Sequence, residues 1–267
     1  MLSADVPPYP QKDLTRFPGF DDVRQAIYDE SVSFLSQTAG PSGTLATVLT
    51  TPVPMPSGAL GSFYLSDASG SAGGARTGLL ALGTILSMRA KETSTSPTQR
   101  GLFVRDRLLC QEIHLPDFIP PDISETEMRE NPKTTRELYE KHAASASCRS
   151  CHNLLDSVGF TFENLDAAGR FRTQENGVTV DTSGELLGTD VDGTLANHSD
   201  LAAALAKSEW VRECLAAQAF RFYFGQVEAS RGIPPVQAAR VAASAGTFKD
   251  LVSAVMGTVS TYHRRRE

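Results

Sequence analysis

Cys148-Arg149-Ser150-Cys151-His152 is the stretch of this chain whose residue types and spacing point most directly to a chemistry. Two thiols three positions apart lie about one helical turn from each other on one face. From there they can add across the two vinyl groups of a single porphyrin. The next residue brings an imidazole nitrogen beneath the iron as its proximal ligand. C-x-x-C-H is thus the pattern of a c-type haem attachment site, with Cys148 and Cys151 as covalent anchors of one haem c and His152 as ligand of the haem iron.

Other chemistries fit this spacing less well. A zinc site would need two further ligands. The remaining cysteines, Cys110 and Cys214, stand 38 residues before Cys148 and 63 after Cys151, and His114 follows Cys110 by four. A thioredoxin-like dithiol would sit in an alternating βαβ pattern, whereas the motif follows Ala143-Ala144-Ser145-Ala146-Ser147, which reads as a helical tail. For the sixth iron position His142 is the first candidate and Met128 the second, with His114, His198, Met256 and His263 more remote. A filled position makes an electron carrier, and an empty one permits ligand binding or peroxide chemistry. His142 also reads as an ordinary polar helix residue.

Around the motif, Asp156, Glu163 and Asp166 could cap helices, pair with Arg170 or hydrogen-bond the haem surroundings; the first two roles are the commoner ones. Leu154, Leu155, Phe160 and Phe162 are expected to lower the polarity around the iron. Asp190-Val191-Asp192-Gly193 has its glycine too early for a calcium loop and reads as a turn. Trp210, Phe220, Phe222, Tyr223 and Phe224 read as core. No G-x-S-x-G, phosphate-cradling glycine loop or H-E-x-x-H is present, so hydrolysis and nucleotide chemistry have no support.

The elements that must carry these residues are mostly helical. Residues 21–37 have the apolar spacing of an amphipathic helix, with Asp21 or Asp22 as cap. A short apolar segment follows at Leu45 to Leu49. Residues 66–76 are small and polar, a flexible loop and the best domain boundary. A buried helix is expected over 77–90, another from Pro97 through Cys110, and a polar one from about Thr135 to Ser145. Pro116, Pro120 and Pro121 enforce an extended stretch. Alternation on either side of Asn176-Gly177 signals a β hairpin over 170–182. Helices at 199–206, 208–224 (ended by Gly225), near 235–244, and 247–262 (capped by Thr247) complete a mostly α fold with one small hairpin.

A net charge of −6 argues against a nucleic-acid surface, and Arg264-Arg265-Arg266 reads as a solvated helix end. No apolar stretch is long enough to span a membrane. The first residues have neither the basic nor the apolar region of a signal peptide. Because bacterial haem attachment takes place after export, the expectation is a fragment of a longer exported protein. With the motif cysteines committed to haem, Cys110 and Cys214 remain as an even pair, either one disulfide or two buried thiols.

Four stretches resemble a family of large exported bacterial proteins, abundant in planctomycetes and myxobacteria, that carry c-type-cytochrome-associated domains of unknown function. They are Phe20-Asp21-Asp22-Val23-Arg24 with Glu30 and Phe34; Arg76-Thr77-Gly78-Leu79-Leu80 with Thr95-Ser96-Pro97, Arg100-Gly101 and Leu108-Leu109-Cys110; His142 and the motif with Asp156, Gly159-Phe160, Glu163-Asn164, Asp166, Gly169 and Arg170; and Asp181, Gly184-Glu185-Leu186, Cys214 and Phe222-Tyr223-Phe224-Gly225. Ser157 and Gln226 depart from the family pattern, which has proline and arginine there. The resemblance implies a periplasmic or extracellular protein associated with haem, in three parts: residues 1–66 as the remnant of a preceding helical domain, 76–184 as the domain bearing the motif, and 185–262 as a C-terminal helical domain. It supplies no reaction. The expected function is a haem c module for electron transfer, working with a redox partner or adjacent domains of a longer chain. The alternatives are a haem-free structural or interaction module and a haem enzyme with an open distal site.

Overall fold

The computed structural model describes residues 10–66, 76–113, 133–144, 146–224 and 246–264. Helices dominate these residues, and the strands form two small antiparallel hairpins where the sequence signalled one. Helix α1 (Phe20–Thr38) buries Val23, Ile27 and Phe34 on the face that their spacing picks out. Its cap is Gly19, in the left-handed region at φ 80, and not Asp21 or Asp22. Those two carboxylates occupy the first turn, where they complement the helix dipole. Helix α2 (Leu45–Thr50) starts at a capping box made by Thr44 and Thr47, and α3 (Gly58–Tyr64) follows it.

The continuous helix expected over 77–90 is broken. A single 3-10 turn (Leu79–Ala81) is followed by extended Leu82 (ψ 131) and then α4 (Gly83–Met88). The cause is Arg76. Its guanidinium donates to the Ala81 carbonyl at 3.0 Å, taking an acceptor that a helix would have used, while gripping Glu30 at 2.7 and 2.9 Å. The tyrosine hydroxyl of Tyr64 donates to the same carboxylate at 2.9 Å.

Helix α5 (Pro97–Leu102) begins at Pro97 behind a Ser96 cap and then widens into a π-helical turn over Phe103–Leu108. Beyond it come α6 (Thr135–His142) and α7 (Ala146–Phe160). The motif therefore lies inside a helix of its own, which runs eight residues past His152. Helices α5 and α7 meet backbone to backbone. A Cβ on Gly101 would overlap the Leu155 carbonyl, and one on Gly159 would overlap the Pro97 carbonyl. No other residue type permits this approach without a shift.

Strands β1 (Gln174–Glu175) and β2 (Val178–Thr179) turn through Asn176 and Gly177, both at positive φ, as the Asn-Gly pair implies. Strands β3 (Gly184–Leu186) and β4 (Gly193–Leu195) form the second hairpin, with Glu185 opposite Thr194. It lies against α7, where the Glu185 N–H donates to the Ser157 hydroxyl at 2.8 Å. Helices α8 (His198–Leu205), α9 (Glu209–Phe224) and α10 (Phe248–Arg264) follow. Thr247 caps α10 as its sequence implied, by accepting from the Asp250 N–H.

The main core gathers Leu49, Leu80, Val104, Val158, Phe162, Leu186, Leu201 and Val211, so segments before, within and after the motif region share one apolar interior. A disulfide joins Cys110 to Cys214 across 104 residues, tying the end of the π-helical turn to α9. Three aromatic residues expected in the core are not there. Trp210, Phe222 and Tyr223 are 42%, 57% and 45% exposed, because α9 spends its buried face on Val211, Cys214, Ala216, Ala219 and Phe220. Met128, His114, Pro116, Pro120, Pro121, Gly225, the loop beyond Ser66 and the helix expected near 235–244 lie outside the described residues, as does the side chain of Phe224. No described helix is long and apolar enough to cross a membrane.

Candidate functional site

Cys148, Cys151 and His152 share α7, with the two cysteines one turn apart and Cys148 four positions before His152. Cys151 is a free thiol and half-buried. The His152 side chain is 17% exposed and opens to a shallow groove of about 250 Å3. Tyr139, Glu140 and Ala143 of the α6 region face Arg149, Asn153 and Phe160 of α7 across it.

A buried carboxylate holds the His152 ring. Asp156, one turn further along α7 and 3% exposed, meets His152 Nδ1 through Oδ2 at 2.8 Å. Its other oxygen, Oδ1, accepts from the Thr98 hydroxyl at 2.5 Å. Thr98 belongs to α5 and reaches α7 through the glycine contact, so the close helix packing builds this chain of groups. The hydrogen bond to Asp156 raises the His152 pKa above its ordinary 6.5, and desolvation works against it. With Nδ1 engaged, Nε2 is the nitrogen left for a ligand.

His142, at the end of α6, lies edge-on to His152 with ring centroids 4.8 Å apart. Imidazole nitrogens stand about 2 Å from a bound metal, and each ring centre lies further out. Rings this close must separate before an iron can sit between them. His198 is buried and stacks on Phe162 at 6.3 Å, and Met256 is 49% exposed on α10. The His263 side chain lies outside the described ones.

Asp156 bonds His152 and Thr98 and does not pair with Arg170; of the three carboxylates only Asp166 makes the expected pair with Arg170, and Glu163 pairs with Arg172 instead. Glu163 is 2% exposed; it pairs with Arg172 at 2.8 Å and accepts from the Thr95 hydroxyl at 2.8 Å. Burial raises the Glu163 pKa, and Arg172 and Arg100 oppose the shift. Asp166 holds Arg170 at 2.7 Å and accepts from two backbone N–H groups. Arg100 donates to the carbonyls of Phe162, Leu165 and Asp166 at 2.7 to 3.0 Å, pinning the turn after α7.

The apolar surround expected for the iron is only partly there. Phe160 lines the groove, with the Arg136 guanidinium stacked on its ring at 4.1 Å. Leu155 and Phe162 are 1% and 2% exposed and face the interior, because the α5 contact and the main core claim that side of α7. Leu154 contributes its carbonyl, which accepts from buried Arg105 at 2.9 Å. Asp190 and Asp192 form turns, as expected: Asp190 caps α9 through the Glu209 and Trp210 N–H groups, and Asp192 accepts from Gly188 and Thr189. Among the described residues no group of three or more His, Cys, Asp or Glu side chains is placed to hold a metal ion. Thr98 was invisible as a site residue in the sequence. Nothing local in Ser96-Pro97-Thr98 signals a carboxylate 58 residues away.

Residues 76–175 match the family model PSCyt3, a protein of unknown function (DUF1588). This segment is similar to a cytochrome-associated domain of unknown function, in line with the resemblance read from the residues. It holds the broken 77–88 stretch, α5, the whole motif helix and the ion pairs that follow it. No curated protein and no solved structure matches the chain.

Proposed function

We propose that α7 carries one covalently attached haem c and that this domain passes single electrons in an exported protein. Cys148 and Cys151 would anchor the porphyrin by thioethers, and His152 Nε2 would ligate the iron. The observation that carries the reading is the Nδ1 contact of His152 with buried Asp156, the carboxylate-to-histidine support usual behind a metal-bound imidazole. The match of this segment to a cytochrome-associated domain points the same way.

The donor set fits the group. When bound, haem supplies one-electron exchange between ferric and ferrous iron. The chain's own contribution is to orient the imidazole, to withhold Nδ1 from water, and to carry both cysteines on one helix, the side chain of Cys148 lying outside the described ones. Arg149 donates to the Ala144 carbonyl at 2.8 Å, tying the start of α7 to the chain after α6.

The groove favours a second reading. At about 250 Å3 it is below the roughly 300–1,000 Å3 of cavities that enclose a drug-sized ligand. A haem-free interaction module of a larger exported protein needs no greater enclosure.

Export to a bacterial periplasm together with haem-attachment machinery decides between them. The expected result is a Soret band that survives denaturation and is lost in the Cys148→Ala, Cys151→Ala double variant. A colourless, folded product after co-expression overturns the haem reading. Carbon monoxide binding to the reduced protein would mark an open distal site, and its absence a six-coordinate carrier.

A further inference from the structure

We infer that Asp156 is a positioning residue for the iron ligand: it fixes the His152 tautomer that presents the Nε2 lone pair to the groove, and it lends the imidazole anionic character that favours ferric iron. The inference rests on the haem reading above, but its first half concerns the protein alone. As a carboxylate, Asp156 can only accept, so the 2.8 Å contact places the proton on Nδ1. A free imidazole has no such constraint.

Three features make the arrangement more than a chance i,i+4 pair. Asp156 is 3% exposed, so the contact is shielded from water. Its second oxygen is held by Thr98 at 2.5 Å, which prevents the carboxylate from rotating away. Thr98 in turn is placed by the Gly101 and Gly159 contacts, which fix α5 against α7 by their backbones. A buried carboxylate on the far nitrogen increases the basicity of a ligating histidine, and a more basic ligand stabilises the more highly charged metal.

The test has two arms. In 15N-labelled apoprotein above the titration range of histidine, long-range nitrogen–proton correlations should show His152 with Nδ1 protonated, and Asp156→Ala should shift the proton predominantly to Nε2. In haem-loaded protein, the near-isosteric Asp156→Asn keeps an acceptor and removes the charge. Its reduction potential should rise by about tenfold in the oxidised-to-reduced ratio, about 59 mV for a one-electron couple. An Nε2-protonated wild-type apoprotein overturns the inference, and so does an Asp156→Asn potential equal to wild type. If no haem attaches, the functional reading fails, and the tautomer measurement still judges the role of Asp156. Far-UV circular dichroism of both variants confirms that helix content is kept.

Discussion

Gly159 of α7 stands directly against the backbone of Pro97, with its missing side chain occupied by the Pro97 carbonyl oxygen. Alanine in a helix is ordinarily favoured over glycine by about 1 kcal/mol. Here the added methyl would force α5 and α7 apart. Overpacking of this kind costs about 1–3 kcal/mol, so Gly159→Ala should be net destabilising by urea unfolding. It should also loosen the Thr98–Asp156 bond. Gly257→Ala, on α10 where among the described residues no atom outside the helix backbone lies within 4 Å of the new methyl, should instead leave stability unchanged or raise it.

Cys110 and Cys214 make a second prediction that reaches the haem question. Denatured apoprotein should give two free thiols with a thiol reagent and four after reduction. Haem-loaded protein should give none before reduction and two after it, because each thioether consumes one sulfur. The disulfide spans 104 residues, so replacing both cysteines by serine should lower stability by about 2–4 kcal/mol. Four thiols in the unreduced apoprotein would remove the disulfide from the account.

Much of this arrangement was legible in the chain because it is local. The Asn176-Gly177 turn, the Pro97 helix start and the Thr247 cap are each written in a few adjacent residues, and the structure has all three. What was not legible depends on partners distant in sequence. At the break before Leu82, Arg76 bonds both the Ala81 carbonyl and Glu30, 46 residues away. Nothing in the residues around Gly159 shows that Pro97, 62 positions earlier, stands against it. Leu155 and Phe162 have the composition of a cofactor wall, but their direction is decided by α5 and by the main core. Trp210, Phe222 and Tyr223 misled for the opposite reason: size alone does not say which face of α9 finds a partner.

The Arg76–Glu30 pair supports a third prediction. Both terminal nitrogens of Arg76, a 3% exposed residue, reach the carboxylate, and the guanidinium lies over the Tyr64 ring at 4.2 Å. Removing one member of a buried pair leaves the other charge without its partner, at a cost of about 3–5 kcal/mol. Arg76→Met should therefore be far more destabilising than Arg24→Met, whose contact with Asp21 is at the surface. Comparable urea midpoints for the two variants would show that the buried pair adds nothing.

Lys12 gives the chain a stability that changes with pH. It is 7% exposed and donates to the carbonyls of Ser87 and Lys91 at 3.0 and 2.7 Å. Burial, with Arg100 second, pushes its pKa down from 10.5 to about 8, and Asp166 and Glu92 pull the other way. The unfolded chain keeps this proton up to the ordinary value, whereas the folded chain releases it near 8. Between those limits the unfolded state binds more protons, so the Lys12 contribution rises with pH. The steepest slope is about 1.4 kcal/mol per pH unit. Urea unfolding of wild type and Lys12→Met at several pH values from 7 to 10 isolates it, since other titrating groups cancel in the difference. The wild-type stability should gain on the variant as pH rises through 8, and a difference that stays flat or falls would mean that the two carbonyls hold the ammonium in its charged form.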